Sequence, residues 1–179
     1  MARMDSDSYT LSLTSMMAAF ALLFIYLAGI LPTARMGMYA IASLFSIALC
    51  MEQRTAYAII LYFAVSALSF LILPNTLMVV PYILFFGYYG IAKYHIESIK
   101  DKLLAFALKL MVFNIGLILN YFLAKNMFLV NVPDAIKNSF WLFLGLAQLA
   151  FLAYDYIFSK MAELYDNRIR KFLMKRGRR

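Results

Sequence analysis

Charge is what this 179-residue chain has least of: Asp, Glu, Lys and Arg make up 15% of it, against 65% hydrophobic residues. A composition that apolar excludes a water-soluble enzyme, a secreted disulfide scaffold and a free nucleic-acid-binding protein. Cysteine is nearly absent, and Cys50, alone in an apolar run, cannot form an internal disulfide. The single histidine, His95, stands beside Glu97 in a polar stretch and reads as a solvated side chain, so no Cys/His metal spacing exists. Also missing are a Gly-rich phosphate loop, an Asp-x-x-Asp pair and a Gly-x-Ser-x-Gly nucleophile turn. An enzyme is therefore not expected, nor a cofactor or metal. No internal repeat or low-complexity linker divides the chain.

What the sequence has instead is apolar runs. Six helices of roughly 20 residues need about 120 apolar positions to cross a hydrocarbon core ~30 Å thick, and the composition supplies about 116. The runs fall at 11–31, 36–51, 56–73, 77–92, 103–124 and 133–158. Pro32 stops the first, Glu52-Gln53-Arg54 close the second, Pro74-Asn75 turn after the third, and Lys93 ends the fourth. Pro133-Asp134 open the sixth, since Pro suits a first helical position and Asp complements the helix dipole. The first run is too long for a signal-peptide core and lacks a cleavage site, so it belongs to the mature chain. The second is short for a bilayer. The expected fold is an all-α integral membrane protein, a single bundle of six transmembrane helices over 1–158, followed by a tail at 159–179.

Six spans put both termini on one side of the membrane. Of the 17 Lys and Arg residues, 13 lie in the termini and even loops; the odd loops hold Arg35, Lys125 and Lys137. The positive-inside rule then makes both termini of this cell-membrane protein cytoplasmic. The tail, with Met161, Tyr165, Ile169 and Phe172 at helical spacing and a net charge of +6, is expected to lie as an amphipathic helix on the anionic inner leaflet. Its charge needs no nucleic acid as partner.

Two charges fall inside the runs, Lys109 and Asp155, each near the cytoplasmic end of its span. Matched depth suggests an intramembrane ion pair; the alternative is that Lys109 snorkels to the interface and Asp155 faces head groups. On the fifth span Lys109, Phe113, Gly116 and Asn120 share one stripe, and Asn114 and Tyr121 another. Asn114 at mid-membrane fits interhelical hydrogen bonding. The aromatic run FFGYYG at 85–90 reads as interface belt. On the first span Ser15, Ala18 and Ala19 form a small-residue patch, suited either to packing within the chain or to docking a second membrane subunit.

Polar groups gather unevenly at the outer ends. Spans 2 and 3 offer almost none, whereas Tyr82, Asn120, Tyr121, Asn138 and Trp141 cluster on spans 4 to 6. A pocket joins apolar walls to a few polar anchors. The expected ligand site takes its anchors from Asn120 and Asn138 and its walls from Phe122, Phe140 and the aromatic face of span 4. Arg35 on the loop above serves as a lid charge for a carboxylate or phosphate. The competing view is an outer polar and aromatic belt.

A chain of about 180 residues with six spans, both ends inside, a small-residue first helix, a short second helix and outer loops after spans 1 and 5 resembles the substrate-binding S subunits of energy-coupling factor transporters. The resemblance covers nearly the whole chain in architecture. Ser15 and Ala19 stand where those subunits often carry Ala-x-x-x-Ala for docking. It implies capture of a small molecule such as a vitamin from outside, closed over by the loop after span 1, with a coupling membrane subunit and ATPases as partners. A second architectural resemblance is to the rod-shape-determining membrane subunit of bacterial envelope elongation, a scaffold without a ligand.

Overall fold

Residues 2–126 and 140–165 are described by the computed structural model; they are helical apart from short connections, with no strand among them. Helix α1 covers Ala2–Ile30, α2 Arg35–Met51 and α3 Thr55–Ile72. After a short turn at Thr76–Met78, a π turn at Tyr82–Phe86 leads directly into α4, Gly87–Glu97. Helix α5 spans Lys102–Asn126 and α6 Phe140–Leu164. Among the described residues four stretches are long and apolar enough to cross a membrane: Ser8–Ile30, Thr55–Ile72, Thr76–Glu97 and Lys102–Leu123. Helix α2 is apolar too but has only 17 residues.

Three boundaries differ from those expected. Helix α1 starts inside the polar tail, because residues 2–10 contain neither Gly nor Pro to stop it. The fourth span does not end at Lys93: that side chain is fully buried, its ammonium pairs with Glu97 at 2.8 Å one turn on, and the helix continues to Glu97. The connection after it therefore shrinks to 98–101, where Ser98 Oγ donates to His95 O at 2.6 Å. Asp101 Oδ1 then accepts the Leu103 and Leu104 N–H groups and caps α5. Finally α6 runs through Lys160, which pairs with Glu163 at 2.9 Å, into what was expected to be tail. Asp134, Asn138, Ile169 and Phe172 lie outside the described residues.

The chain divides after Gly116 into two units. In the first, α1 packs on α2 and α3, and α2 also packs on α4. Ala21, Ile25 and Ala28, spaced four and three apart, form the buried face of α1. Gly90 lets α4 approach α2 closely: a Cβ there would stand 2.7 Å from Ser46 Oγ and 2.9 Å from Ser43 O. Helix α2 ends in a Schellman motif, Arg54 N–H on Leu49 O and Gln53 N–H on Cys50 O, with Gln53 at φ 60° where glycine is usual. Large apolar side chains such as Phe63 and Leu71 point outward, as they do where lipid is the solvent. In the second unit Phe151, Phe158 and Ala162 form the buried face of α6.

Candidate functional site

The fourth span is where regular helical pairing breaks. Pro81 has no N–H to donate, and just beyond it the Gly87 N–H reaches back five residues to Tyr82 O, the π-type bond. Irregular backbone at membrane depth survives only where other groups satisfy it, and two tyrosines do so from neighbouring helices. Tyr62 of α3 donates its hydroxyl to Ile83 O at 2.9 Å, and Tyr39 of α2 donates to Met78 O. The Tyr39 ring also packs on Phe86, with centroids 5.6 Å apart. Glycines admit these neighbours. A Cβ on Gly87 would meet the Tyr62 ring at 2.7 Å, and one on Gly116 of α5 would meet Leu84 O at 3.1 Å.

The aromatic run is thus core and not belt. Tyr82, Phe85 and Tyr89 are buried, and Phe85 packs against Tyr89 and against Phe113 of α5. The rings turn inward because Gly87 and Gly90 between them let α3 and α2 come close, and Gly116 does the same for α5.

In the first unit three hydroxyls are left over. The Tyr82 hydroxyl, Ser66 Oγ and Ser69 Oγ are buried and have no hydrogen-bond partner. A buried polar group left so costs about 1–3 kcal/mol, and such groups in a native fold mark stored strain or a place for an occupant. Ser69 belongs to a polar stripe on α3, Tyr62, Ser66 and Ser69 at spacings of four and three, in an otherwise apolar helix. That spacing was visible in the sequence; the partners of Tyr39 and Tyr62, 39 and 21 residues away, were not. Spans 2 and 3, expected to bring almost no polar groups to this end, supply Tyr39, Tyr62, Ser66 and Ser69.

Arg35 opens α2 one turn before Tyr39. Its Nε donates to Ala28 O at 3.1 Å, which holds the half-buried guanidinium at the junction of α1 and α2. No side chain caps this helix start and no acidic residue stands in its first turn. Of the expected site residues, Arg35 and Tyr82 belong to the first unit, and Tyr39, one turn after Arg35, meets the chain on either side of Tyr82, at Met78 and Phe86. Asn120 is half-buried on α5, Tyr121 is exposed, and Trp141 is 81% exposed; these three belong to the second unit. Asn138 lies outside the described residues. On α1, Ser15 and Ala19 are exposed and Ala18 is half-buried, while Ser15 Oγ is satisfied by Leu11 O at 2.9 Å.

A separate charge cluster sits at the other end of α4. Glu97 Oε1 accepts from Lys93 at 2.8 Å and from Lys109 of α5 at 2.7 Å, so Glu97 is a partner of Lys109 that the sequence reading did not name. Asp155 is half-buried on α6, where its carbonyl accepts from Ser159 Oγ. Asn114 donates its amide to Leu110 O of its own helix at 2.8 Å. Among the described residues no three His, Cys, Asp or Glu side chains gather as a metal site.

The irregular stretch of the fourth span thus combines buried aromatic rings, backbone carbonyls held by hydroxyls from two other helices, and buried hydroxyls without a partner. Comparison with protein-family models, curated proteins and solved structures found no match to this chain.

Proposed function

We propose that the chain is the membrane-embedded substrate-binding subunit of an uptake transporter, capturing a small molecule from outside and passing it to an ATP-driven coupling module, in the manner of the energy-coupling factor S subunits it resembles. In this reading the bundle has six spans with both termini in the cytoplasm, and the site lies on the outer half of the fourth span. The observation that carries it is the Tyr82 hydroxyl, buried and unpartnered on a π turn. A scaffold has no use for an unsatisfied hydroxyl in its core, whereas a binding subunit keeps one for its ligand. The exposed Ser15 and Ala19 of α1 serve as the close-packing face for the coupling subunit.

The test is purification of the chain in mild detergent from its native membrane. Two ATPases and a coupling membrane protein should co-elute, together with a retained small molecule that Tyr82→Phe no longer holds. Cell-wall enzymes in their place, with no small molecule, would make the chain an envelope scaffold.

A further inference from the structure

The fourth span is held differently on the two sides of its π turn. Downstream of the turn, backbone meets backbone: a Cβ on Gly90 would stand 2.9 Å from Ser43 O and 3.3 Å from Ile47 N of α2. One turn further on Lys93 is buried and shares the Glu97 carboxylate with Lys109, which ties α4 to α5. Close-packed backbone and a shared ion pair resist displacement of this flank.

Upstream of the turn the contacts are of another kind. Pro81 has no N–H to offer Leu77 O, and the chain before it is a short turn at Thr76–Met78 rather than a helix. Against Gly29 of α1 this flank sets the ends of flexible side chains, with Leu73 Cδ2 at 2.9 Å and Met78 Sδ at 3.8 Å from where a Cβ would be. Its fastening to α2 is the Tyr39 hydroxyl, which donates to Met78 O.

The arrangement seen also carries a cost. Tyr82, the first residue of the π turn, is fully buried, and its hydroxyl has no partner. A displacement of the upstream flank that wets this hydroxyl offsets the loss of the Tyr39 bond. Two arrangements close in free energy, joined at a local break in helical pairing, are what a hinge requires.

We propose that the π turn is a hinge: residues 74–80 swing off α2 about Pro81 to Phe86 when the Tyr39 hydroxyl releases Met78 O, while α4 stays in place. The inference concerns motion of the chain itself and goes beyond the capture reading, since it holds equally for a scaffold.

The test reads side-chain access in the full chain, reconstituted in nanodiscs so that reagent reaches both faces. Val79 is buried in the upstream flank and Ser46 is buried where α2 meets Gly90. Each is replaced singly by cysteine and its modification by a cationic methanethiosulfonate is timed. The native Cys50 is buried, and its background is measured in the parent chain. Tyr39→Phe should speed modification of Val79→Cys about fivefold, the factor carried by one hydrogen bond, and leave Ser46→Cys unchanged. Pro81→Ala restores an N–H for Leu77 O, and Tyr82→Phe removes the unpartnered hydroxyl, so each should slow modification of Val79→Cys below the parent rate. An equal rise at both cysteines in Tyr39→Phe means that the whole bundle loosens, and it overturns the hinge. So does a Val79→Cys rate that Tyr39→Phe leaves unchanged, or one that neither Pro81→Ala nor Tyr82→Phe lowers.

Discussion

The hydroxyl of Tyr62 on α3 donates at 2.9 Å to the carbonyl of Ile83, inside the π turn of the fourth span. That bond makes irregular backbone tolerable where water is scarce. Tyr62→Phe removes that hydrogen bond and should lower stability by about 1 kcal/mol. Tyr82→Phe removes a hydroxyl with no partner and should be neutral or stabilising. Thermal unfolding of both variants in one detergent decides; equal losses would mean that the Tyr82 hydroxyl is satisfied after all.

Gln53 occupies the left-handed position of the α2 C-terminal motif, at φ 60°. A side chain costs about 1 kcal/mol in that conformation relative to glycine. Gln53→Gly should therefore raise the unfolding free energy by roughly that amount, a gain a denaturant titration can resolve. A loss would show that the strain is absent.

Gly90 and Gly37 lie on helices and should respond in opposite ways to alanine. At Gly90 the new methyl meets Ser46 Oγ and Ser43 backbone, whereas at Gly37 nothing stands within 4 Å. Gly90→Ala should push α4 off α2 and cost about 1–3 kcal/mol; Gly37→Ala should gain up to about 1 kcal/mol from helix propensity. Melting curves of the two single variants provide the comparison.

Span positions were legible because charges and prolines punctuate the apolar runs, and α2, α3 and α5 begin and end within two residues of those runs. Lys93 misled because lysine normally ends a span, and the Glu97 that neutralises it had been assigned to a loop. The π turn was illegible: nothing near Tyr82 signals that its backbone depends on hydroxyls from two other helices. Arg35 and Tyr82 were found by residue type alone. Tyr39 was missed because one tyrosine in an apolar run looks like any other until its partner is known.

The charges at the far end of α4 allow a coupled test. Glu97 neutralises two lysines, so Glu97→Gln should cost about 3 kcal/mol or more. Lys109→Met added to it should cost less than the sum of the two single effects. A second cycle with Asp155→Asn measures the proposed Lys109 and Asp155 pair, and strict additivity there would remove it.

Orientation can be read by chemical labelling. A cysteine placed at Asn75, in the exposed turn before the fourth span, should react with an impermeant maleimide added to intact cells, and one at Ser98 should not. The native Cys50 is buried and should contribute no background. Labelling at Ser98 would invert the topology and move Arg35 to the inner face.

The π turn also bears on how the chain can change length. Such a turn holds one residue more than an α-helix of the same pitch requires. Deleting a residue elsewhere in a span rotates all that follows by about 100° and misaligns its contacts. A deletion within 83–86 instead lets the turn relax to α geometry, and the flanks that contact α2 and α5 keep their registers. The fourth span is accordingly the transmembrane stretch of this protein best able to absorb a single-codon loss.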